Sequence, residues 1–106
     1  MTIKQEIEMF KDLTTRMNEV FTKKRLDYGQ STTETYEKFG PVSMLTRMHD
    51  KMGRLDRLLG ANMHVNNLDE KVEDTLLDLA NYALITILEM SKVRMNQSVA
   101  REEYDM

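Results

Sequence analysis

The chain has 106 residues, with 15 basic and 18 acidic side chains, a net charge of −3 and no cysteine. One small domain with a thin core follows from that length, the acidic balance argues against nucleic-acid coating, and the lack of cysteine excludes disulfides and thiolate metal sites. Met1–Glu6 lacks the apolar core of a signal peptide and no apolar run approaches about 18 residues, so the expected address is cytoplasmic, with no membrane contact.

Four glycines and one proline leave few helix breaks, ten methionines favour helix, and nothing alternates as a strand does. The expectation is an all-α protein: a single domain over 1–106 with three to four helices in a bundle completed by homo-oligomerisation. The first helix is predicted to start after Thr2 as N-cap. Its apolar positions are Ile3, Ile7, Phe10, Leu13, Met17, Val20 and Phe21, and it is expected to end near Lys24 or Arg25. Asp27-Tyr28-Gly29 reads as a break, followed by a short helix over Thr33–Phe39 capped by Ser31 or Thr32.

Pro41 suits the first position of the next helix, whose stripe is Met44, Leu45, Met48, Met52, Leu55 and Leu59, with Gly60 as its stop. Gly53, in mid-helix, suggests close approach by a neighbouring helix or ligand. Ala61–Asn66 reads as a loop. Asn67 and Glu70 form a capping-box-like start for a last helix reaching at least Met90. Residues 91–106 are a polar C-terminal extension.

That last helix holds the least ordinary pattern. Glu70, Asp74, Asp78 and Asn81 fall within an arc of roughly 80°, while Val72, Leu76, Leu79, Ala80, Ala83, Leu84 and Ile87 make nearly every other direction apolar. Such a helix is expected to be buried, and buried carboxylates need a cation, metal or donor. The helix before it offers Arg47, Lys51 and Arg54, with Asp50 among them.

Two readings follow. Arg47, Lys51 and Arg54 neutralise the acids as a buried salt-bridge network, or the two stripes share a polyphosphate. In the second, carboxylates hold Mg²⁺ through oxygen and the bases contact phosphates. Lys24, Arg25, Asp27 and Tyr28 likewise read either as one end of a nucleotide pocket, with Tyr28 stacking on a base, or as an ordinary helix C-terminus and turn. His49, expected on an exposed face, and His64, in the loop, lack the companions of a zinc site.

Asp27-Tyr28-Gly29, Phe39-Gly40, Met44-Leu45-Thr46-Arg47, Asp50-Lys51-Met52-Gly53-Arg54-Leu55 and Asp74 through Ala83 together resemble the nucleotide modification associated domain 1 family, small helical proteins frequent in bacteriophages and their hosts. The resemblance spans about residues 20–90. That family is similar in turn to the all-α nucleoside triphosphate pyrophosphohydrolases of the MazG-like and dimeric dUTPase-like group.

The resemblance implies an oligomeric helical bundle acting in the cytoplasm of a host bacterium. It further implies Mg²⁺-dependent hydrolysis of a free nucleoside triphosphate to monophosphate and pyrophosphate. Asp78, before Leu79-Ala80-Asn81-Tyr82, resembles the aspartate of the second acidic motif, with Asp74 as companion at four residues rather than three. The first motif of that group is a glutamate cluster; here its helix offers Asp50.

The expected site has Asp50, Asp74 and Asp78 as catalytic acids and Glu70, Asp74 and Asp78 as metal ligands. Lys24, Arg25, Asp27, Tyr28, Arg47, Lys51, Arg54 and Asn81 contact the substrate. A non-catalytic nucleotide-binding or sequestering protein and a structural helical adaptor are the alternatives. No sequence-specific nucleic-acid contact is expected.

Overall fold

A computed structural model of the chain describes residues 1–60 and 68–105, with side chains in the last helix as far as Met95. Its elements are α1 (Ile3–Tyr28), α2 (Ser31–Phe39), α3 (Val42–Leu59) and α4 (Glu70–Asp105). No strand occurs among the described residues. None of their helices is long and apolar enough to cross a membrane. The Ala61–Asn66 loop, His64 and Asn67 lie outside the described residues.

Local chemistry sets the helix ends. Thr2 Oγ1 accepts from the Gln5 N–H at 3.1 Å and Gln5 Oε1 from the Thr2 N–H at 2.8 Å, a reciprocal capping box. At the other end α1 runs through Asp27 and Tyr28, beyond the expected Lys24–Arg25, because the chain reverses only at Gly29 with φ 60°. Two residues later α2 begins, so Ser31 and Thr32 are its first residues rather than its caps, and Gln30 occupies the cap position without a side-chain bond. Pro41 stands at the N-cap of α3, one position before that expected, and Gly60 closes α3 at φ 57°. At the start of α4, Asp69 Oδ1 accepts from the Val72 N–H at 2.8 Å, a side-chain cap.

The core lies where α3 runs along α4, under α2. Tyr36, Met44, Leu55 and Val72 are the buried apolar side chains among the described residues. Thr75 is buried with them. Its hydroxyl donates to the Lys71 carbonyl at 2.7 Å and accepts from Arg54 Nε at 3.2 Å. Gly53 admits no close neighbour of the expected kind, since a Cβ there would meet only the Arg57 side chain at 3.5 Å, an ordinary contact.

Exposure departs from the pattern of apolar residues. Leu45 and Met52 on α3 are exposed, as are Ile3, Ile7 and Phe10 on α1. The α4 helix, expected to be buried on nearly all sides, exposes Leu76, Leu84, Ile87 and Leu88, because no other described helix covers that face. The accessible surface is 8657 Å², against about 6,200 Å² for a compact monomer of this mass. The radius of gyration is 17.6 Å, against about 13 Å for a compact domain of this length.

Candidate functional site

Gly29 turns the chain so that the end of α1 and the start of α2 face the middle of α3 and α4 around a half-open cavity of about 360 Å³. From α1 come Phe21, Lys24, Arg25 and Tyr28, and from the turn into α2 come Gly29, Ser31 and Thr32. Arg47 reaches in from α3, while Asp78, Asn81, Tyr82 and Ile85 line the α4 side. Six residues expected at the site, Lys24, Arg25, Tyr28, Arg47, Asp78 and Asn81, thus meet around one space.

The electrostatics of that space are mainly cationic. Arg25 lies 5.3 Å from the Phe21 ring centroid and Arg47 lies 5.8 Å from that of Tyr82, so both guanidinium planes are steadied by aromatic faces. Ser31 and Thr32, the first residues of α2, line the cavity, and the helix start has no side-chain cap; uncapped helix N-termini attract anions. The lining carboxylate is Asp78. It forms an ion pair with Lys51 Nζ at 3.2 Å and sits 3.9 Å from Lys24 Nζ. Asn81 donates through Nδ2 to the Met17 carbonyl at 3.3 Å, tying α4 to α1 at the cavity edge.

The remaining expected residues are elsewhere. Asp27 and Asp50 are exposed and do not line the cavity, and His49 is exposed as expected. Arg54 bonds Thr75 rather than an acid. Asp74 is paired with Arg16 of α1 at 3.7 Å, outside the cavity. Glu70, Asp74 and Asp78 follow one another by single turns, so Glu70 and Asp78 are separated by roughly 12 Å along the helix axis. Among the described residues no three acids or histidines gather in a metal-holding group. The expected Glu70–Asp74–Asp78 ligand set does not converge on one ion.

Behind the cavity lies a group that the pattern of acids on α4 did not bring out. Glu89 is 1% exposed. Its Oε1 accepts from Thr33 Oγ1 at 2.9 Å and from Lys92 Nζ at 3.1 Å, and lies 3.4 Å from Arg25 Nη2. Lys92 also donates to Thr33 Oγ1 at 2.9 Å. A buried carboxylate so surrounded fixes the guanidinium of Arg25 at the cavity wall and joins α1, α2 and α4. The signal was available: Asp78, Tyr82, Ile85 and Glu89 recur at four, three and four residues, one continuous face. Counter-ions from α1 were the other omission, Arg16 meeting Glu73 at 2.8 Å and Lys24 approaching Asp78.

No family model matches the chain, and neither a curated protein nor a solved structure does.

Proposed function

We propose that the protein binds a free nucleotide, or another phosphorylated small molecule with a flat aromatic part, in the cavity between α1, α2, α3 and α4. The observation that carries this is the convergence of Lys24, Arg25 and Arg47 with the uncapped start of α2 around one space that also presents Tyr28 and Tyr82. Cations and backbone N–H groups suit phosphate, and tyrosine faces suit a base. The resemblance to the nucleotide modification associated domain 1 family supports the same ligand class.

Binding without cleavage is the reading the geometry supports best. Asp78 is the acid in the cavity, and lysines already face it. Asp74 pairs with Arg16 outside the cavity, which favours binding over Mg²⁺-dependent hydrolysis. Self-association into a homo-oligomer belongs to the same proposal, supported by the thin core and the large exposed surface.

ATP serves as a probe. Its addition, with and without Mg²⁺, is expected to raise the melting temperature of the protein, because a ligand that prefers the native state stabilises it. The ATP recovered afterwards is expected intact by chromatography. Release of pyrophosphate that disappears in Asp78→Asn would instead establish the Mg²⁺-dependent pyrophosphohydrolase, and no shift with any nucleotide in a panel would leave the structural adaptor.

A further inference from the structure

Three polar groups share one oxygen of the buried Glu89 carboxylate, and they do not hold it equally. Thr33 Oγ1 donates to Oε1 at 2.9 Å and Lys92 Nζ donates at 3.1 Å, while Arg25 Nη2 stands off at 3.4 Å. The other Arg25 contact, from Nη1 to Thr33 Oγ1, is also 3.4 Å, whereas Lys92 Nζ reaches the same hydroxyl at 2.9 Å. Both Arg25 contacts thus lie beyond the usual hydrogen-bond distance, and both Lys92 contacts lie within it. Lys92 comes from α4 itself, three residues after Glu89, and does not line the cavity; Arg25 does.

The balance of charge sets what Arg25 can do. A carboxylate that is 1% exposed needs a counter-ion. With Lys92 beside it, one positive charge answers one negative charge, and the Arg25 guanidinium is left in excess over the Phe21 ring at the cavity wall. Were the Lys92 charge removed, Arg25 would become the counter-ion of Glu89. A guanidinium drawn onto a carboxylate has fewer donors and less charge to offer a phosphate.

We infer that Lys92 is a positioning residue for the anion site: it neutralises Glu89 and so leaves the charge of Arg25 facing the cavity. The inference rests on the binding reading above and names a side chain outside the cavity that sets its affinity. The start of α2 stands on the same cluster, because Thr33 follows directly on Ser31 and Thr32, which line the cavity.

Isothermal calorimetry with ATP on the full chain tests the role of Lys92. Lys92→Gln, which keeps a polar side chain and loses the charge, is expected to weaken ATP about threefold to tenfold, within the coupling seen between residues of one network. Its helical circular dichroism is expected to be retained, since the Lys92 side chain is 36% exposed. Lys92→Met is expected to weaken ATP likewise, and Lys92→Arg to restore the wild-type affinity. In an Arg25→Ala background, Lys92→Gln is expected to change the affinity less than about twofold, because the residue it acts through is gone.

A lower melting temperature of Lys92→Gln with unchanged ATP affinity would make Lys92 a structural tie and overturn the inference. An equal loss of affinity in the Arg25→Ala background overturns it as well, since Lys92 would then act on ATP without Arg25. Wild type that binds no nucleotide overturns the binding reading itself, and this inference falls with it. Wild type that binds ATP no better than Lys92→Gln overturns this inference alone.

Discussion

The two long helices that flank α4 satisfy it in opposite ways. Against α3, α4 makes a closer contact in which Met44, Leu55 and Val72 are buried and Thr75 has both a donor and an acceptor partner, with Lys51 paired to Asp78 and Arg47 over Tyr82 at its cavity end. Against α1 it makes an open one: a groove, a cavity, ion pairs with Arg16 and Lys24, and apolar side chains left in water. The difference teaches where stability and function are divided. The α3 side holds the fold together, because burial of apolar surface is the dominant favourable term. The α1 side keeps charged groups at the rim of a cavity, where they retain the freedom to meet a ligand.

The contrast is broken most severely at Met44, which is fully buried. Met44→Ala is expected to cost about 2–5 kcal/mol, read from the urea midpoint at unchanged slope. A cost below about 1 kcal/mol would show that the α3–α4 contact collapses around the loss.

Glu89→Ala tests the charge that is buried on the α1 side among the described residues. Arg25 and Lys92 are partly exposed and recover water, so the expected cost is about 1–3 kcal/mol, below that of stranding a fully buried ion. The same variant is expected to weaken ATP binding through the loss of Arg25 placement.

Arg25→Ala and Arg47→Ala sharpen the comparison from the ligand side. Each is expected to weaken ATP at least about tenfold, or roughly 1.4 kcal/mol, by isothermal calorimetry. Stability should change little in comparison with Met44→Ala. If Thr75→Val reduced ATP affinity as much as these, the division between a structural and a binding side would be wrong.

Asp78→Asn carries an effect of opposite sign. Removing the carboxylate releases Lys24 and Lys51 and takes a negative charge from the cavity, so ATP binding is expected to tighten severalfold. Weaker binding would assign Asp78 to the ligand's own metal or hydroxyl contacts. The smallest effect is expected at Arg16→Ala. Its pairs with Glu73 and Asp74 are largely exposed, and loss of such pairs costs about 0–1 kcal/mol in thermal unfolding.

The helices were legible because their signals are local. Thr2 and Gln5 cap α1 through bonds three residues apart, and Gly29, Gly40 and Gly60 each take the positive φ that ends a helix cheaply. Asp27 and Tyr28 were misread as a break because a basic pair near a turn resembles a helix end, whereas Gly29 alone stops it. Lys24, Arg25, Tyr28, Arg47, Asp78 and Asn81, singled out by residue type and motif, line one cavity. Asp50, Asp74, Glu70, Asp27 and Arg54 share those types and faces, and the three-dimensional path of α1 separates them from the cavity. Which cation reaches which acid depends on how far α1 and α3 sit along α4, and spacing within one helix carries no such information.

By itself the sequence determined that the chain is helical, where most helices begin and end, and that α4 bears acids among apolar residues. Those properties rest on hydrogen bonds and rotations within a few residues. Tertiary structure alone decided that Asp78 faces lysines, that Arg25 is held by a buried Glu89, and that the apolar row of α1 runs past the end of its own core. Each of these joins residues more than 25 positions apart or marks a face that no described residue covers. Packing selects among the pairings that local pattern leaves equally available.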